Sequence, residues 1–243
     1  YFQVLDRIVI LVALTGALIR LGNYFNSEII GKPTYDNSGV VFARNITDLL
    51  KQEEYVDKVS YVTTDSVKAG DSLSYPVKIL IEFKRQYQDK DKAALDEFLK
   101  YDVSSAFVKN ANVTDHLYQK SPVLFKLGKQ EDQRYAAVLY TNVIPRHPAQ
   151  LYESISCFIL FILLFALWYK DKNALAPGKL FGIFLIVCFG LRFLYEFLKE
   201  NQVAFENDLP LNMGQILSIP LVIAGIIILI TARKKPAQDI PVK

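Results

Sequence analysis

Two arginines, two glutamates and a group of amides stand at the ends of apolar runs in this chain. In LIRLGNYFNSEIIGKP, residues 18–33, Arg20 closes an apolar stretch and is followed by Gly22, Asn23, Asn26 and Glu28. In LRFLYEFLKENQ, Arg192 and Glu196 are four residues apart, and in RHPAQLYES, His147, Gln150 and Tyr152 open another apolar run. A guanidinium presents a planar fork of N–H donors that matches a phosphate group. Two of them aimed at one cavity at lipid-headgroup depth would hold a phospholipid by its phosphate. Asn23, Asn26 and Gln150 add amide donors and acceptors, and Gly22 with Gly31-Lys32-Pro33 lets the backbone turn closely around a ligand.

Plainer readings exist for each residue alone. Arg192 and Glu196, at i and i+4, can neutralise each other as an intramembrane ion pair. Arg20 can be a snorkelling anchor, and His147 before Pro148 can be the cap of a helix with proline in its first turn. Taken together these readings weaken, because one glutamate cannot satisfy two arginines. The other nearby acid in the sequence is Glu28.

The elements that position these residues are membrane helices. Of the 243 residues 51% are hydrophobic, and Ile155–Tyr169, Leu180–Leu191 and Ile216–Ala232 contain no charge. Each extends to the roughly 20 residues that cross about 30 Å of hydrocarbon. Ile8–Ile19 spans too if it runs from Leu5 to Leu21, with Asp6, Arg7 and Arg20 snorkelling to the interfaces. The expected fold is an integral membrane α-helical bundle of about four transmembrane helices with a small α+β extracytoplasmic insert. Its segments are residues 1–35, 36–145 and 146–243. Lys170, Lys172 and Lys179, and Arg233-Lys234-Lys235, mark the cytoplasmic side, which places residues 36–146 and the loop from Glu200 to Asn212 outside. Arg192, about 18 Å above Leu180 at 1.5 Å per residue, then shares the outer half of the membrane with Arg20 and His147. An arginine there costs about 2.5–3.5 kcal/mol on insertion scales and faces a partner or a wet cavity.

Within the insert, VDKVSYVTTDSV, YPVKILIEFKRQY and RYAAVLYTNVI alternate as strands do. DKDKAALDEFLKYDVSSAFVKNA reads as an amphipathic helix with Ala94, Leu95, Phe98 and Leu99 on one face. The matches to Asn-x-Ser/Thr at Asn45 and Asn112 are too common by chance to mean glycosylation. A net charge of +3 without a basic, aromatic-interleaved stripe argues against a nucleic-acid partner. Cys157 and Cys188 fall inside spans, where thiols behave as small apolar groups, so neither a disulfide framework nor a metal site is expected. The chain starts at Tyr1 without a signal peptide and reads as part of a longer protein.

The three polar blocks, IRLGNYFNSEIIGKPT, RHPAQLYES and LRFLYEFLKENQ, in that order, resemble the signature segments of bacterial prolipoprotein diacylglyceryl transferase. The resemblance implies a bacterial inner-membrane enzyme, multi-pass and with its site toward the outer face. It would move the diacylglyceryl group of phosphatidylglycerol onto the lipobox cysteine of a prolipoprotein signal peptide, among membrane lipids and without a cofactor. By position, Arg20 and Arg192 would hold the phosphate and stabilise its growing charge. Asn23 and Glu28 match the polar core of the signature, Asn26 adds an amide, and Gly31 matches its turn. Glu196 would orient Arg192, and His147, Gln150 and Tyr152 would shape the site. The nucleophile belongs to the substrate. The histidine to which the family assigns the base role lies in a block upstream of the signature, with no equivalent here, and the insert is longer than the family's arm.

A competing reading is a membrane-anchored binding or scaffold protein whose working part is the insert, with a degenerate, inactive core. It predicts that deleting residues 44–140 destroys function while neutral substitutions at Arg20, Glu28 and Arg192 do not. A transporter is disfavoured because the polar residues cluster at one face and do not continue across the membrane.

Overall fold

The computed structural model describes residues 1–34, 39–63, 74–87, 89–114, 116–117, 122–172, 175–200 and 209–232. In chain order its elements are α1 (Phe2–Asn26), α2 (Arg44–Gln52), β1 (Val56–Thr63), β2 (Tyr75–Phe83), α3 (Lys92–Glu97), α4 (Ser104–Lys109), α5 (Ala111–Thr114), β3 (Leu124–Lys129), β4 (Tyr135–Val143), α6 (Ala149–Asp171), α7 (Lys179–Tyr195) and α8 (Met213–Thr231). They form two compact units, Tyr1–Lys32 with Pro148–Lys243, and Pro33–His147. Among the described residues four helices are long and apolar enough to cross a membrane: α1, α6, α8, and α7 continued by the 3-10 turn Glu196–Leu198. The chain is a helical-bundle membrane protein with a small α+β insert.

In the helical unit α1 packs on α6 and α7, α6 on α7, and α7 on α8. The interior is built from Val9, Ile10 and Ala13 of α1, Leu160 and Leu164 of α6, and Leu180, Phe184 and Leu185 of α7. The opposite faces are exposed and apolar, as with Leu11, Ile159, Ile162, Ile223 and Ile227, which suits lipid contact. Lipid tails are as apolar as leucine, so helix association there depends on close packing and interhelical hydrogen bonds. Both are present. A methyl group added at Gly225 of α8 would lie 3.0 Å from the carbonyl oxygen of Gly182 on α7. Ser154 of α6 donates its hydroxyl to the carbonyl of Ala17 on α1 at 2.8 Å.

Helix α1 is longer than the expected Leu5–Leu21. It ends only where Ser27 turns left-handed (φ 57°), with the Ser27 and Glu28 amides donating to the carbonyls of Tyr24 and Asn23. Gly22 and Asn23 therefore lie inside the helix, and nothing approaches Gly22 closely enough to require a glycine. The expected snorkelling of Asp6 is also overturned. Asp6 is 6% exposed, and its carboxylate accepts from the amides of Gly178 (2.7 Å) and Phe181 (2.8 Å). The free N–H groups that open α7 are thus capped from another helix, by a negative charge at the positive end of the α7 dipole. Asp6→Ala is expected to lower stability by about 1–2 kcal/mol, read as a lower thermal midpoint in detergent, with Asp6→Asn losing less.

The insert holds an antiparallel sheet of order β1-β2-β4-β3. The alternation expected of its strands is seen in β2, where Val77, Ile79, Ile81 and Phe83 are buried and the residues between them are only partly covered. The first expected strand stops at Thr63 among the described residues, since 64–67 lie outside them. Strand β3 and helix α2, whose Ile46 and Leu50 enter the core, were not expected. The single helix expected over 89–111 is instead α3 and α4 joined by a π-helical stretch, Phe98–Val103. The Ser104 hydroxyl, bonded to the Leu99 carbonyl and accepting from the Val123 amide, sits at that widening. Its buried face is Leu95, Phe98, Leu99, Val103 and Phe107, while Ala94 is exposed. Burial pushes the Tyr61 phenol up to about 12, against the pull of the Thr47 hydroxyl 2.7 Å away.

Candidate active site

Between α1, α6 and α7 lies a cavity of about 220 Å³. Arg20, Glu153, Ser156, Arg192 and Tyr195 supply its polar lining, and Val12, Leu160, Phe184 and Leu191 are among its apolar residues. The two arginines, from separate membrane-spanning helices, thus face one hollow. Helical spacing accounts for the convergence. Val12, Gly16 and Arg20 recur at four-residue steps on α1, as do Glu153, Cys157 and, after three more, Leu160 on α6, and Phe184, Cys188 and Arg192 on α7. The two cysteines, expected only as apolar filler, line the cavity one turn from Glu153 and Arg192.

A charged cluster surrounds the polar end. Arg20 Nε is 2.6 Å from Glu153 Oε2, and the Lys199 ammonium is 2.5 Å from Glu153 Oε1 and 3.1 Å from Glu196 Oε1. Arg192 Nε is 3.8 Å from Glu196 Oε1, beyond hydrogen-bonding reach. That buried nitrogen, like the two Glu153 carboxylate oxygens, makes no hydrogen bond. Lys199 and Glu153 are almost fully buried, with side chains 3% and 7% exposed, whereas 41% of the Arg192 side chain is accessible. Among the described residues of this cluster, three cations and two carboxylates leave one positive charge, which an anion in the cavity would neutralise.

The acid beside Arg20 is Glu153 and not Glu28. Glu28 is exposed, in the turn after α1. What is held there is its backbone: the fully buried Gln150 donates its amide to the Glu28 carbonyl at 2.5 Å. Asn23 and Asn26 occupy the last turn of α1. Gly31 pairs with Lys199 in an isolated antiparallel bridge, and the Lys32 amide donates to the Leu198 carbonyl at 2.7 Å. The signature loop is therefore tied to the end of the third block. None of Asn23, Asn26, Glu28, Gly31, Gln150 and Tyr152 lines the cavity. Tyr152 lies against Tyr195, with ring centroids 6.5 Å apart, and its carbonyl accepts from Ser156 at 2.7 Å. Because that bond uses the Ser156 proton, Tyr195, 2.5 Å from Ser156 Oγ, is the donor between the two hydroxyls. His147 is the last residue of the insert unit and half-buried. Pro148, not His147, takes the N-cap position of α6.

Sequence reasoning missed Glu153, Lys199, Ser156 and Tyr195. A signal for the first was present: Gln150, Glu153, Ser154 and Cys157 repeat at three- and four-residue intervals on an otherwise oily helix. Glu196, expected to orient Arg192, is fixed from α8. Asn212 caps that helix through a capping box with Gln215 and donates its side-chain amide to Glu196 Oε2 at 3.2 Å. Gly214 leaves room for the Glu196 carboxyl, because a Cβ there would lie 2.5 Å from Glu196 Cδ. Gly214→Ala must push Glu196 off Lys199. The expected result is overpacking of about 1–3 kcal/mol, read as a lower thermal midpoint in detergent.

Comparison with known proteins gives the family. The family model described as prolipoprotein diacylglyceryl transferase matches residues 1–231. The chain belongs to that family. Curated relatives named phosphatidylglycerol–prolipoprotein diacylglyceryl transferase include one from Bacteroides fragilis, 43% identical over 134 residues, or 55% of this chain and 46% of the relative. Another, from Tolumonas auensis, is 38% identical over 113 residues, or 46% and 43% of the two chains. A third, from Chloroherpeton thalassium, is 43% identical over 94 residues, covering 39% and 35%. The chain spans less than half the length of these relatives in each match. No solved structure matches it.

Proposed function

We propose that this family member transfers the diacylglyceryl group of phosphatidylglycerol to the lipobox cysteine of a prolipoprotein. This would be the first step of bacterial lipoprotein maturation, at the outer face of the cytoplasmic membrane. The observation that carries the reading is the pair of guanidiniums, Arg20 of α1 and Arg192 of α7, lining one cavity between membrane-spanning helices. The names of the relatives point the same way.

The site suits a lipid phosphodiester. Among the described residues its polar end carries one positive charge in excess, and its apolar lining can take acyl chains. In the reaction the cysteine thiolate attacks the glyceryl carbon that bears the phosphate. A carbon–sulfur bond forms, the carbon–oxygen bond breaks with its electron pair going to oxygen, and glycerol phosphate leaves. The thiol proton goes to a base. The phosphate passes from one negative charge toward two, so preorganised guanidinium donors stabilise the transition state more than the bound lipid. Arg20, fixed by Glu153, and Arg192, next to Glu196, are the residues for that role. Gln150 and Gly31 hold the signature loop carrying Glu28, with Asn23 and Asn26 in the helix turn before it. Tyr152 supports Tyr195 beside the cavity, and His147 is assigned to shaping the approach.

The test is reconstitution of the full-length enzyme in phosphatidylglycerol vesicles with a synthetic lipobox peptide. The expected product is a peptide heavier by one diacylglyceryl group, with equimolar release of glycerol phosphate. An unmodified peptide, or modification without glycerol phosphate, contradicts the reading.

A further inference from the structure

We infer that Lys199 is the positioning residue that leaves the two arginines free to bind an anion. This inference rests on the function proposed above. A lysine at a helix end near a membrane surface ordinarily snorkels into water, yet Lys199 is 3% exposed. Burying an ammonium is tolerated only where it is paired and hydrogen-bonded, and Lys199 donates to the carboxylate of Glu196 at 3.1 Å and pairs with the buried Glu153 of α6 at 2.5 Å. Its backbone bridges Gly31. One residue therefore touches all three polar blocks: the signature loop, the start of α6 and the turn after α7.

The consequence is electrostatic. Without the ammonium, the two carboxylates would match the two guanidiniums charge for charge, and a phosphate would have to displace an acid. With it, each carboxylate is shared: Glu153 between Arg20 and Lys199, Glu196 between Arg192 and Lys199. One positive charge is left, and Arg192 Nε stays without a hydrogen bond. Lys199 does not itself line the cavity and acts through the residues it holds.

The experiment measures KM for phosphatidylglycerol and kcat in the full-length enzyme for Lys199→Met, Lys199→Gln and Lys199→Arg. Loss of the charge is expected to raise KM at least about tenfold in the two neutral variants, because ground-state anion binding is lost. Lys199→Arg, which keeps the charge, should return KM to within about threefold of wild type. A merely structural role would reduce the amount of active enzyme, seen as a lower apparent kcat at unchanged KM. Lys199→Gln keeps amide donors and covers the case in which the methionine variant fails to accumulate. A wild-type KM in a neutral variant that accumulates overturns the role of Lys199 alone. An arginine variant whose KM rises as far as that of the neutral variants also overturns it. Absence of transfer by the wild-type enzyme overturns the proposed function and this role with it.

Discussion

Arg20→Ala in the full-length enzyme is expected to lower diacylglyceryl transfer by about two to three orders of magnitude while the protein still accumulates in the membrane. The two halves of that expectation have separate causes. Activity falls because a preorganised donor aimed at developing phosphate charge is removed from a low-dielectric cavity, where such donors count most. The fold survives because Glu153, the acid that Arg20 leaves behind, still has the Lys199 ammonium at 2.5 Å. Arg20→Lys separates charge from shape: an ammonium keeps the positive charge but not the planar fork, so its activity should fall between wild type and alanine. Transfer measured with labelled phosphatidylglycerol, alongside immunoblots of membrane fractions, checks both halves. Wild-type activity in Arg20→Ala would remove the arginine from the mechanism.

Glu153→Gln should act on stability more than any other single change in the cluster. Its carboxylate is buried and lies within 2.6 Å of Arg20 and 2.5 Å of Lys199. Neutralising it leaves the buried lysine with Glu196 alone, and breaking a buried ion pair by removing one partner costs about 3–5 kcal/mol. The exposed Glu28 gives the contrast: Glu28→Gln should change stability by less than about 0.5 kcal/mol. The measurement is the thermal midpoint of each variant in detergent. Equal midpoints for the two would contradict the assignment of Glu153 as the buried acid of the site.

That contrast also marks the limit of what the sequence discloses. Membrane spans are legible because charge-free apolar runs of the required length seldom arise outside a bilayer, and α6, α7 and α8 appear where the sequence places them. The convergence of Arg20 and Arg192 is legible because an intramembrane guanidinium needs a partner or a cavity. The choice between Glu28 and Glu153 is not, because it depends on which way α1 ends. The helix continues six residues beyond Arg20 to Asn26, which carries Glu28 past the arginine into an exposed turn, while Glu153 reaches the arginine across the α1–α6 contact. Lys199 is harder still. Its burial follows from the 3-10 turn after α7 and the bridge to Gly31, both tertiary outcomes that a lysine near a helix end does not advertise. In the insert, the alternating strands β1, β2 and β4 are legible by period, whereas β3, with Lys126, Gly128 and Lys129 in LFKLGK, carries too weak a pattern.

The claim that everything rests on is that Arg20 and Arg192 grip the same phosphate. A structure of the full-length enzyme with phosphatidylglycerol, or a non-reacting analogue of it, bound in the cavity measures this directly. The expected result is a phosphate whose oxygens lie about 2.7–2.9 Å from guanidinium nitrogens of both arginines, with the acyl chains along Leu160 and Phe184. A lipid phosphate held by one arginine only, or seated outside the hollow between α1, α6 and α7, would contradict it.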